Sequence, residues 1–203
     1  MQIKRSLGIA LVAAGLLVVA RHSACAQDPI AVTAQRGTVT FAVKTNVPLT
    51  NIEGKSAGLA ARVTVRRAAQ SLRLEGIEAW TPVAVLTTGM DLRDQHMRER
   101  VFTAPDGTTP DVRFASQGAV CSAAAQEVTC QVAGDLSFRG STRPLKVTLK
   151  VREENGAFQV TGDSLVKLDE YGVDASAWGG AVRVENEVQF HFEFTGSKAA
   201  GAR

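Results

Sequence analysis

Apolar and polar residues alternate with a period of two over most of the chain, the pattern of strands that bury one face and wet the other. Val39, Phe41 and Val43 alternate with Thr38, Thr40 and Lys44, and Leu59, Ala61, Val63 and Val65 with Arg62, Thr64 and Arg66. Leu72 and Leu74 alternate with Arg73 and Glu75. The pattern returns at Val128, Cys130 and Val132, at Leu136 and Phe138, and at Leu145, Val147, Leu149 and Val151. It is clearest near the end, where Val188, Phe190, Phe192 and Phe194 share one face and Gln189, His191 and Glu193 the other. Turn-forming residues separate these runs: Pro48, Gly54, Pro82, Pro105-Asp106-Gly107, Gly140, Asn155-Gly156 and Gly179-Gly180. Short strands joined by turns, with no helical layer, predict an all-β antiparallel sandwich or barrel, and a closed barrel leaves no strand edge exposed. A single helix is predicted over Met90 to Phe102, where Met90, Met97 and Val101 recur at helical spacing without proline or glycine.

The amino terminus follows another rule. Lys4 and Arg5 precede an apolar run from Leu7 to Ala20 and the small-residue tripeptide Ala24-Cys25-Ala26. These are the three regions of a secretory signal peptide, predicted to occupy residues 1–26 with cleavage after Ala26 and export to the periplasm. The apolar run is shorter than the roughly 20 residues that cross a bilayer. The alternative, lipidation of Cys25, is disfavoured by His22, which stands where a lipoprotein signal carries a Leu-like residue. Residues 27–196 are read as one domain and 197–203 as a flexible tail.

Export changes the charge balance. The chain has 23 Lys plus Arg against 20 Asp plus Glu. Removing Lys4, Arg5 and Arg21 leaves 20 of each, so no basic excess points to nucleic acid. Two cysteines survive cleavage. Cys121 and Cys130 flank a turn-like segment from Ser122 to Gln126, and in an oxidising compartment they are predicted to pair; the alternative is two buried, unpaired thiols.

Two further stretches are distinctive: Leu86 to Met97, L-T-T-G-M-D-L-R-D-Q-H-M, and Pro110 to Ser116, P-D-V-R-F-A-S. With V-A-G-D-L-S-F-R-G-S-T-R-P-L from Val132 to Leu145 and L-D-E-Y-G-V-D from Leu168 to Asp174, they occur in an order and spacing that resemble the YceI-like family of exported lipid-binding proteins. The resemblance spans about residues 37 to 195. It implies a lipocalin-like antiparallel β-barrel with one short helix near residues 90–102, holding a long apolar chain such as a polyisoprenoid, an isoprenoid quinone or a fatty-acid amide. It implies no catalytic cofactor and no enzyme activity. Where family members often carry a lysine-histidine pair near the end of the first strand, this chain has Lys44-Thr45-Asn46.

The candidate lining of such a barrel is Val39, Phe41, Val43, Leu59, Val63, Val65, Leu72, Leu74, Phe114, Phe138, Phe190 and Phe192. Alternation does not distinguish a hollow barrel from a filled one. The many Ala, Val and Gly residues on the apolar faces favour a tunnel. The competing reading is a packed barrel acting as a stress-response or protein-interaction module. Arg93, Asp94 and His96 are candidates either for meeting a ligand's polar head or for fastening the helix to the barrel, the second being the commoner use of such groups. Trp80 and Trp178 could line a ligand path or pack in a core. His191 is expected to face solvent, and with His96 and the two cysteines it makes no metal-ligand spacing. No G-x-S-x-G element accompanies the serines. The expected partners are a small lipid and, through transient contact, a membrane; the sequence carries no signal of oligomeric state.

Overall fold

The computed structural model describes residues 30–47, 50–68, 71–124, 127–175 and 183–198. The described residues form β1 (Ile30–Thr45), β2 (Ile52–Ala68), β3 (Ser71–Thr81), α1 (Asp91–Met97), β4 (Val112–Ser116), β5 (Ala119–Ala124), β6 (Glu127–Phe138), β7 (Ser141–Glu154), β8 (Ala157–Lys167) and β9 (Val184–Lys198). The helical path continues beyond α1 as a π turn over Arg98–Phe102, so the predicted helix is present but changes its winding halfway. The expected signal peptide lies outside the described residues. β9 runs on to Lys198, two residues into the segment read as a tail.

All strand pairings are antiparallel, in the order β4-β3-β2-β1-β9-β8-β7-β6-β5. A further pairing of β4 with β6, through Arg113 with Ser137 and Phe114 with Leu136, closes the sheet into a barrel. Two hairpins have two-residue turns with positive φ at both positions, Arg139-Gly140 and Asn155-Gly156. That is the type I′ geometry whose twist matches the flanking strands.

Cys121 and Cys130 are opposite each other on β5 and β6 and form a disulfide. Cys130 is fully buried, so the bond ties β5 into the core.

The apolar interior is divided along the barrel axis. At one end Val32, Val63, Val65, Leu74, Val132, Val151, Phe158 and Val160 pack into a filled core. At the other, Met97, Val101 and Phe102 from the helical segment pack with Phe138, Leu168, Tyr171 and Val173. Phe102 and Tyr171 both meet the Phe138 ring edge-on, with centroids 5.2 and 5.1 Å away.

Candidate functional site

Inside the barrel, walled by residues of both clusters, is a cavity of about 430 Å³, within the range of roughly 300–1,000 Å³ typical of small-molecule sites. The inward faces of the strands supply its wall: Val39, Phe41 and Val43 from β1, Leu59 from β2, Phe114 from β4, Phe138 from β6, and Phe190 and Phe192 from β9. Trp80 also borders it. Trp178 lies outside the described residues.

Three of the candidate residues whose side chains are described do not line it. Val63, Val65 and Leu74 point inward but belong to the filled end of the barrel. Leu72 is on β3, with a side chain outside the described residues. Several lining residues were not among the candidates, including Leu86, Met97, Val101, Leu145, Val147 and Val166. The Met97–Val101 spacing and the alternation of Phe158, Val160 and Val166 along β8 were the available signals for the helix and for that strand.

Three of the aromatic rings that border the cavity lie over glycines of its wall. Phe41 is paired across the sheet with Gly54, and a Cβ on Gly54 would fall 2.1 Å from the ring's Cζ. Phe192 is paired with Gly162, where a Cβ would fall 2.2 Å from Cζ. A Cβ on Gly134 would fall 2.4 Å from the Ala115 carbonyl and 2.6 Å from Cζ of Phe114. Each ring fills the place of a missing side chain on the neighbouring strand and therefore does not project into the lumen.

The helix is fastened by a chain of polar contacts. Lys55 and Thr87 exchange backbone hydrogen bonds of 2.8 and 2.9 Å, which places Thr87 on β2. Asp94, buried, accepts from the Thr87 hydroxyl at 2.6 Å and from the Thr88 backbone N–H at 2.6 Å, and also from the Thr88 hydroxyl. Burial alone would raise the Asp94 carboxyl, but these hydrogen bonds and the Arg98 charge together outweigh it and hold the group below the ordinary carboxylate range. Asp94 therefore faces the anchor, whereas Arg93 and His96 border the cavity. Arg139 adds a second tie, donating from Nε to the Thr103 carbonyl at 2.9 Å and from Nη1 to the Gly172 carbonyl.

His191 is exposed on the outer face, 2.9 Å from Asp163, as alternation predicted. Among the described residues no group of three or more His, Cys, Asp or Glu side chains could hold a metal ion. No helix among them is long and apolar enough to cross a membrane, which says nothing of strands.

Solved structures share this architecture. The Burkholderia cenocepacia protein BcnA superposes with a TM-score of 0.62 at 23% identity, covering 78% of this chain and 95% of its own. A polyisoprenoid-binding domain from Saccharophagus degradans, implicated in plant cell wall breakdown, gives 0.61 at 14% identity, covering 84% and 99%. A Campylobacter jejuni YceI protein gives 0.55 at 12% identity, covering 74% and 86%. No curated protein matches the chain in sequence. The family model of the YceI-like domain matches residues 31–196, and with the closed barrel, the short helix and the apolar cavity all present, the chain belongs to the YceI-like family.

Proposed function

We propose that this protein is a non-enzymatic carrier which holds one long apolar chain, of an isoprenoid or another amphipathic lipid, in the barrel cavity and keeps it from water in the periplasm. The observation that carries the reading is the apolar cavity inside the barrel, bordered by phenylalanines lying over glycines. A packed scaffold would have no use for rings held back from the lumen.

The energetics suit such a ligand. A chain burying roughly 400 Å² gains about 10 kcal/mol at about 25 cal/mol per Å². Association costs at least about 4 kcal/mol, which leaves room for useful affinity with few polar contacts. The polyisoprenoid binding described for the Saccharophagus domain points in the same direction. Export rests on the signal-peptide pattern of residues 1–26.

Native mass spectrometry of protein purified from its own cell envelope is expected to show a copurifying lipid, displaced by added long-chain amphiphiles. Repeated unliganded spectra, with no shift in melting temperature on adding such amphiphiles, would refute the proposal.

A further inference from the structure

Among the described residues the titratable groups bordering the cavity are Arg93, His96 and Arg100, and no Asp or Glu borders it. At positions i, i+3 and i+7 they form one stripe of the helical segment. The neighbouring stripe of Asp94, Met97 and Val101 is buried against the barrel. A chamber lined mainly by apolar residues thus has the positive charges of Arg93 and Arg100 gathered on the helical segment.

That charge is not neutralised from within. Asp94 is saturated by Thr87 and Thr88. Glu99 accepts from Gln95 at 2.8 Å. Among the described residues no carboxylate forms an ion pair with Arg93, His96 or Arg100. Arg93 instead directs Nη2 at the Met90 sulfur, a weak acceptor that a stronger one would replace. His96 and Arg100 are exposed on one side and border the cavity on the other, so they stand where the head of a threaded amphiphile would emerge.

We infer that the cavity selects amphiphiles with an anionic oxygen head, a carboxylate or a phosphate, received by Arg93 and Arg100 with His96 as a further donor while the chain occupies the lumen. This rests on the carrier reading and sharpens it: chain burial supplies affinity, and the arginine fork supplies the choice of head.

The test is a matched sixteen-carbon series, hexadecanoic acid, hexadecyl phosphate, 1-hexadecanol and hexadecanamide, titrated into the full protein by calorimetry. The acid or the phosphate should bind at least about tenfold more tightly than the alcohol and the amide, as expected for a charge-assisted contact at a partly wet site. Which of the two anions binds better separates carboxylate from phosphate recognition. In the R93Q/R100Q variant the advantage of the two anions over the alcohol and the amide should disappear. Equal binding of all four by the unaltered protein overturns the inference and leaves the carrier reading standing. Persistence of the preference in R93Q/R100Q also overturns it. Failure of every member to bind overturns both. The ligand comparison on unaltered protein is decisive even if the double variant does not fold.

Discussion

Replacing Gly54 with alanine should narrow the cavity without breaking the barrel. The added Cβ would lie 2.1 Å from Cζ, 2.4 Å from Cε1 and 2.8 Å from Cε2 of Phe41, which are its three nearest neighbours. Carbon atoms rest about 3.5–4.0 Å apart, so the ring must retreat by about 1.5 Å, and the open side is the lumen. In a filled core such crowding costs about 1–3 kcal/mol. Here the cavity takes up the displacement, and the strand regains about 0.4–1 kcal/mol of unfolded-state entropy from losing a glycine. The two effects nearly cancel, leaving the melting temperature within about 3 °C of the parent. Binding should suffer more. A ring lowered into the lumen that excludes two methylenes of ligand forfeits about 1.6 kcal/mol, or about fifteenfold in Kd. Titration of hexadecanoic acid into the parent, G54A and the double variant G54A/F41L measures this, the shorter leucine restoring the room. Unchanged affinity in G54A, or an equal loss in the double variant, would refute the claim that Phe41 is held off the lumen by the absence of a side chain at Gly54.

Three further outcomes follow from contacts already described. Removing the Cys121–Cys130 bond, by C121A/C130A or by reduction, should lower stability by about 2–3 kcal/mol, the loop-closure value for a separation of 9 residues, read as a shift in urea midpoint. The D94N variant should be less stable than the parent by about 1.5–3 kcal/mol at neutral pH, because its amide cannot accept from Thr87 and Thr88 as the carboxylate does. Since Asp94 has a folded-state value below its unfolded one, this difference should be complete above about pH 5 and fall away as acid protonates the folded carboxyl, vanishing below both values; a gap independent of pH would refute it. Saturation with ligand at a hundredfold its Kd should stabilise the parent by about 2.7 kcal/mol, and calorimetric melts that ignore ligand would contradict binding to the native barrel.

How much of this was legible depended on the kind of information each feature requires. Strand faces were readable at β1, β2 and β9 because one side of each is buried along most of its length, and alternation records burial. The axial position of a residue is not recorded that way. Val63 and Val65 alternate as Val39 and Phe41 do, yet the first pair fills the closed end and the second borders the cavity. Hollowness was still less visible, since it depends on register: Phe192 lies over Gly162, thirty residues earlier, only because β8 and β9 pair as they do. The general smallness of the wall residues pointed toward a tunnel, but the particular devices are glycines opposite rings. The helix could be located from its spacing. The division of its polar residues could not, because Asp94 turning to Thr87 and Arg93 to the cavity follows from the bridge between Thr87 and Lys55, a contact between distant segments.

A cavity of this size poses a stability problem that the rest of the molecule answers. If voids cost about 24 cal/mol per Å³, as in emptied cores, some 430 Å³ would cost about 10 kcal/mol, comparable with the whole stability of a domain. The void is tolerable because it does not interrupt the hydrogen-bond ladder, which closes around it through β4 and β6. The apolar contacts that it forgoes are concentrated instead at the two ends. There the disulfide-tied core and the helix anchored through Asp94 hold the wall in place. Rigidity at the ends and emptiness in the middle are therefore one design. The same end that carries the anchored helix also carries Arg93 and Arg100, so the element that stabilises the empty barrel is the one positioned to receive the ligand's head.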